Sequence, residues 1–232
     1  MAAFAAALDE VTIMRRLRTA LLMSALLLVL AVPSAQAGKP ATRGFLPPTA
    51  HPHGHSLTEL AAAWNVWAFG SAADVNPLLA VRCEQSTIDP KIWFLPVSLG
   101  GEYQTTCDVP QGSFLLLNPG GSECSNVEAE PFFGADDADL GACVDQTFLL
   151  LANAEVTFNG KTVRDLDQYI VTTPLTMLPA NNLLSTSPAL SRDKGIFMVI
   201  HPLSRGTHTL HAYDEFPIFD FKAGITYTIN VH

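Results

Sequence analysis

The chain is short of positive charge: thirteen Lys and Arg stand against twenty-two Asp and Glu, a net charge of −9 over 232 residues. No basic run occurs after Arg18. Phosphate backbones are held by clustered Lys and Arg, so nucleic acid is excluded as a partner. No second long apolar stretch follows residue 37, which leaves nothing to hold a processed chain in a membrane. Cys-x-x-Cys is missing, which argues against a thiolate zinc site. The elbow Gly-x-Ser-x-Gly is missing too: Gly120-Gly121-Ser122-Glu123-Cys124 fails at its last position and reads as a turn beside a cysteine. Charged residues are sparse at 15% and apolar ones make up 48%, a balance that excludes a disordered chain.

What the chain does have begins with a leader. Met14-Arg15-Arg16-Leu17-Arg18 carries three positive charges, and Thr19 to Val32 is almost wholly apolar. Pro33-Ser34 then breaks the run, and Ala35-Gln36-Ala37 places small residues where a signal peptidase cuts. That order predicts a cleaved signal peptide over residues 1–37, with 1–13 as an upstream extension and Gly38 as the new N-terminus. The apolar run is shorter than the roughly 20 residues of a membrane anchor. The first cysteine is Cys83, too distant for a lipid anchor at the cleavage site. The expected location is secreted, either extracellular or periplasmic. Residues 38–232, with ten Lys and Arg against twenty acids, suffice for one domain with a substantial core.

Four cysteines remain in an oxidising compartment, where an even number reads as a disulfide framework. Three pairings are possible. Cys83 precedes the strand-like Lys91–Leu99 and Cys107 ends the strand-like Tyr103–Val109, while Cys124 and Cys143 bracket an acidic loop. The placement favours Cys83–Cys107 and Cys124–Cys143, each worth roughly 3 kcal/mol by loop entropy.

Residues 38–55 are rich in Pro, Gly and His and read as an extended lead-in. Ser56-Leu57-Thr58-Glu59 is a capping box, and Leu57, Leu60, Ala61, Trp64, Trp67 and Ala68 recur behind it at helical spacing until Gly70. Strand signals follow at Lys91–Leu99, Tyr103–Val109, Ser113–Asn118, Tyr169–Thr172, Ile196–His201 and Thr207–Tyr213. Asp136 to Leu151 has the spacing of a second helix, with acids at its positive end. Asn159-Gly160, between Ala154–Phe158 and Lys161–Val163, predicts a two-residue hairpin. Ile225, Tyr227, Ile229 and Val231 alternate with Thr226, Thr228 and Asn230, the period of a half-buried strand. Short strands with two accessory helices predict an all-β domain over 56–232, a β-sandwich of jelly-roll or immunoglobulin-like type.

The order of motifs is also distinctive. A helix with spaced tryptophans (Trp64, Trp67) is followed by Asn76-Pro77-Leu78-Leu79, Ile92-Trp93-Phe94-Leu95, Gly100-Gly101 and Thr106-Cys107-Asp108-Val109-Pro110. Asn181-Asn182-Leu183-Leu184, His201-Pro202-Leu203-Ser204 and Gly206-Thr207-His208-Thr209-Leu210-His211 complete the set. Together these resemble a group of secreted prokaryotic proteins to which no activity is attached, over nearly the whole processed chain. The resemblance implies secretion and the same cysteine pairing. The first helix here carries fewer tryptophans than is usual in that group.

Several clusters are candidate sites. His51-Pro52-His53-Gly54-His55 would, if extended, put three imidazoles on one side to share Zn²⁺ or Cu²⁺; the plainer reading is a polar leader before a helix cap. Asp136, Asp137 and Asp139, with Asp145 beyond, could offer oxygens to Ca²⁺ but lack the full loop pattern, and an acidic helix start explains them as well. His208 and His211 differ by three and must face opposite sides of a strand, so at most one joins His201. Ser204, His208 and Asp214 are the nearest Ser-His-Asp set in sequence, which by itself says little. Trp64, Trp67 and Trp93 could form a sugar-stacking face, but the helical stripe assigns the first two to the core. The expected function is a binding or surface-interaction module for carbohydrate or cell-envelope ligands. The alternatives are a secreted hydrolase, of esterase or glycosidase type, and a metal-binding protein using His51, His53 and His55.

Overall fold

The computed structural model of the chain describes residues 44–232; the leader expected over 1–37 and the start of the lead-in lie outside the described residues. Helix α1 (Leu57–Phe69) starts at the expected capping box. The Glu59 amide donates to Ser56 Oγ at 3.2 Å, and the Ser56 amide donates to Glu59 Oε2 at 2.7 Å. Leu57, Leu60, Ala61, Trp64 and Ala68 are buried, as their spacing predicts, and Trp67 is half-buried. Trp64 Nε1 donates to the Leu95 carbonyl at 3.1 Å, and its ring packs against Trp67, Phe69 and Phe197. Truncating so large a buried ring leaves a cavity and an orphaned carbonyl. Trp64→Ala should therefore cost about 3–5 kcal/mol in denaturant unfolding.

The first strands are β1 (Glu84–Gln85), β2 (Ile92–Phe94), β3 (Gly101–Val109), β4 (Phe114–Leu117) and β5 (Gly121–Ser125). After helix α2 (Asp137–Phe148) come β6 (Asn153–Phe158), β7 (Lys161–Thr162), β8 (Ile170–Thr172) and β9 (Thr176–Leu178). The chain ends with β10 (Ala189–Ile196), β11 (Met198–Ile200), β12 (Gly206–Phe216) and β13 (Phe221–Val231). One five-stranded sheet runs β3-β13-β12-β6-β7. A four-stranded sheet runs β1-β2-β4-β11, and a third holds β5-β10-β8 with β9 also on β10. Because β10 leads into β11 through Phe197 alone, and the Ile196 amide donates to Gly120 at 2.9 Å, these two sheets continue one another end to end. The protein is thus β-rich and sandwich-like, with two helices, as its strand pattern predicts.

One apolar cluster joins the layers: Leu210, Ile225, Tyr227 and Ile229 from the five-stranded sheet meet Ile92, Phe94, Leu115–Leu117 and Met198–Ile200, and the buried face of α1. Two pairings, β2 with β4 and β3 with β13, are parallel. Period-two burial sets which face a residue takes but not the direction of its neighbour, so the sequence was silent on this. Asn159 and Gly160 turn β6 into β7 with φ of 47° and 73°, the conformation the hairpin signal calls for. Both favoured disulfides are formed: Cys83–Cys107 and Cys124–Cys143, with Cα atoms 5.6 and 6.3 Å apart.

The segment before α1 differs from an extended lead-in. Phe45 is buried and bridges Ile200, and the Leu46 amide donates to Val199 at 2.8 Å, so the chain is already packed on β11 there. The largest local correction concerns Gly120–Cys124, expected as a turn. Residues 121–125 are strand β5, paired antiparallel with a β10 that begins seven residues before the expected Ile196.

Candidate functional site

Strands β5 and β10 place Glu123 opposite Asp193, Ser125 opposite Ser191 and Gly121 opposite Gly195. Directly opposed residues of an antiparallel pair share a face, so these six form one side of the ribbon. The other side carries Ser122, Cys124, Arg192 and Lys194 and is covered by α2. There Cys124 joins Cys143, Arg192 Nη2 meets Asp137 at 2.6 Å, and Lys194 Nζ meets Asp145 at 2.6 Å. Both cations flanking Asp193 are thereby turned away from it.

Asp193 is only 2% exposed, and Asn65 of α1, beside it, is fully buried. Asn65 Oδ1 accepts from Thr176 Oγ1 at 3.1 Å and from Ser191 Oγ at 3.3 Å. Asn65 lies close enough to ease the charged form of Asp193 slightly, yet neither Asn65 Nδ2 nor Asp193 Oδ1 completes a hydrogen bond. Burial dominates and pushes the Asp193 carboxyl up to about 8. Burial also raises Glu123 well above the usual carboxylate range, and the neighbouring Glu128 raises it further, both by charge and by sharing a hydrogen bond. Ser191 Oγ donates to Glu123 Oε1 at 2.6 Å, and Ser125 Oγ to Glu128 Oε2 at 2.9 Å.

A cavity of about 110 Å³ opens above this face. Its far wall is Asp214, on the inward side of β12, whose carboxyl burial raises to about 7. Gly121 keeps the floor low. A Cβ on Gly121 would lie 3.2 Å from both Asn118 Nδ2 and Asp193 Oδ1, so the two polar atoms converge over that glycine. Asn118 Oδ1 accepts from the Gly120 amide at 3.1 Å, which leaves its Nδ2 as the donor facing the cavity. At neutral pH the Asp193 carboxyl is therefore mostly protonated and can both donate and accept, with the Asn118 amide beside it and Asp214 near its own midpoint.

The residues singled out in the sequence lie elsewhere, save Asp214 and Trp64, whose buried ring forms part of the cavity wall. His53 sits in a one-turn 3₁₀ segment (Pro52–Gly54) with φ of 53°, so the imidazoles do not line up along an extended chain. His53 Nδ1 and His55 Nε2 instead approach Asp89 Oδ2, at 3.3 and 3.9 Å, and His51 does not join them. Asp136 Oδ1 caps α2 by accepting from the amides of Ala138 and Asp139, Asp137 pairs with Arg192, and Asp139 is exposed. Among the described residues no three His, Cys, Asp or Glu side chains come together as a metal-holding group.

His208 Nε2 meets the Ser204 backbone carbonyl at 2.9 Å, not its hydroxyl, and Asp214 lies six residues further along β12. At about 3.3 Å per residue that is roughly 20 Å, so Ser204, His208 and Asp214 are no triad. His208 does share a surface hollow with His201, whereas His211 faces the other side and meets Thr226 Oγ1 at 3.1 Å. The tryptophans offer no sugar platform: Trp64 is buried, Trp67 Nε1 donates to Glu84 at 2.9 Å, and Trp93 Nε1 is buried.

Sequence reasoning missed Glu123, Glu128 and Asp193. The one available signal was the run Arg192-Asp193-Lys194, whose charges alternate in sign along the strand, the mark of a ribbon with two differently covered faces. The class these features define is a disulfide-bonded β-sandwich with an acid-walled cleft. No protein-family model matches the chain, and no curated protein matches it significantly.

Proposed function

We propose that the protein is a secreted binding module whose cleft receives a neutral, hydroxyl-rich ligand, a carbohydrate of the cell envelope. The leader of residues 1–37 and the two disulfides support export. No helix among the described residues is long and apolar enough to cross a membrane. One observation carries the ligand class: the buried Asp193 carboxyl, held protonated near neutral pH, turns an unsatisfied oxygen towards Asn118 Nδ2 over Gly121. A protonated carboxyl and an amide offer paired donors and acceptors, which is what sugar hydroxyls match. No Lys, Arg or His lines the cavity, so an anion finds no cation there.

Calorimetric titration of envelope oligosaccharides at pH 6 and pH 9 tests this. Affinity should fall at least tenfold at the higher pH, where Asp193 ionises, and stay level in Asp193→Asn, whose amide mimics the neutral acid. Gly121→Ala should weaken binding at both pH values by filling the point of convergence. A cationic ligand would show the opposite slope, and that slope, or no oligosaccharide bound at either pH, would sink the reading.

Asp214 supports a second reading. Its carboxyl is raised to about 7 by burial alone, the range suited to a general acid at neutral pH. On that reading the chain is a glycoside hydrolase, and turnover of chromogenic glycosides that disappears in Asp214→Asn would replace the binding proposal.

A further inference from the structure

The acid chamber does not end at Glu123. A second cavity of about 410 Å³ adjoins it, and Phe69, Leu99, Gly121, Glu123 and Phe221 line both. Beyond Glu123 and Glu128 the wall of this outer groove is almost entirely apolar, built from Phe132, Leu184, Phe216 and Phe219 with the shared rings. Its rim comes from two separate segments. Phe132 belongs to the loop between β5 and α2, and Phe219 to the turn between β12 and β13, their ring centroids 5.3 Å apart. Phe219 and the adjoining Leu99 are exposed, at 37% and 46%.

Resting on the carbohydrate reading, we infer that the ligand is an amphiphile: a neutral sugar head in the acid chamber, with an alkyl or acyl chain running outward along the phenylalanine groove. Continuity decides the occupant. A head group hydrogen-bonded at Asp193 and Asn118 lies beside Glu123, Phe69, Leu99 and Phe221, which also line the outer groove, so a chain attached to it has an apolar surface to run along. Neither compartment is lined by a Lys, Arg or His, so phosphate- or carboxylate-bearing heads are disfavoured. The groove volume lies within the range of small-molecule sites, about 300–1,000 Å³, which are mostly apolar with a few convergent polar groups.

The test compares methyl β-glucopyranoside, octyl β-glucopyranoside and a sugar-free octyl oligoethylene glycol ether, each below its micelle concentration, binding to the full processed protein. Each methylene buried should tighten binding about fourfold, the equivalent of about 0.8 kcal/mol. The octyl glucoside should therefore bind at least fiftyfold more tightly than the methyl glucoside, and clearly more tightly than the ether. Phe219→Ser, at a 37% exposed rim position, should lower octyl glucoside affinity at least fivefold and leave methyl glucoside unchanged. Equal affinity for the two glucosides overturns the amphiphile and leaves the sugar reading standing. Equal affinity for octyl glucoside and the ether removes the sugar head and overturns both, as does no binding by any probe.

Discussion

Asp193→Asn should stabilise the protein above neutral pH by an amount on the order of 3 to 5 kcal/mol and leave it almost unchanged near pH 4. The reason is a proton that the fold retains. The carboxyl titrates at about 8 in the folded chain against an ordinary 3.8. Below the lower value both folded and unfolded chains are protonated, and the group contributes no dependence on pH. Between the two values the unfolded chain releases the proton and the folded chain keeps it. Stability then falls by about 1.4 kcal/mol per pH unit as pH rises, until the folded carboxyl ionises too. Asparagine has the same shape and no proton to lose, so its curve lacks this slope. Glu123, raised for the same first cause, adds a decline of the same sign. Urea unfolding at pH 4, 6.5 and 8.5 measures the difference; parallel curves for the two proteins would show Asp193 to be ionised and solvated after all. The flanking cations give no relief, since Arg192 and Lys194 are committed to Asp137 and Asp145 behind the strand.

Removing the Cys124–Cys143 bridge by a double substitution to alanine should cost about 3 to 5 kcal/mol. Loop entropy over a separation of 19 residues accounts for roughly 3 of that. Packing adds the remainder, because the two cysteines are half of a small separate core with Leu140 and Val144. What would still tie α2 to β5 and β10 is the Ser122–Thr147 hydroxyl hydrogen bond, Lys194 over the Phe148 ring, and two ion pairs whose acids are more than half exposed, each ion pair worth no more than about 1 kcal/mol. Thermal unfolding reads the stability, and hydrogen exchange over residues 137–148 should rise well before the rest of the fold. An unchanged melting temperature would mean that the ion pairs, not the bridge, hold the helix. Because α2 backs the strands that carry Glu123 and Asp193, ligand affinity should decline with it.

Legibility in the sequence followed the hydrophobic pattern wherever a buried face is apolar. The capping box and the Leu57–Ala68 stripe located α1, and the alternation from Ile225 to Val231 located β13. Asn159-Gly160 announced its hairpin because only residues tolerant of positive φ turn so tightly. The pattern failed at β5 and at the first half of β10. Their buried side chains are mostly polar, Ser122, Ser125, Ser191 and Asp193 beside only Cys124 and Ala189, so burial there writes almost no apolar signature. Gly120-Gly121-Ser122-Glu123-Cys124 consequently read as a turn. The histidine spacing implied an extended chain, whereas the turn at His53 leaves His53 and His55 facing Asp89 without His51.

Sequence alone determined the disulfide pairing, the β-rich class and the helices, because each follows from residues near one another in the chain. The cleft was decided by tertiary structure. Asp193, Glu123, Asn118 and Asp214 come from four separate strands or turns, and only their packing withdraws water from them. It is that loss of water, and no property of the residues themselves, that raises the carboxyls far above their ordinary range and gives the site its chemistry.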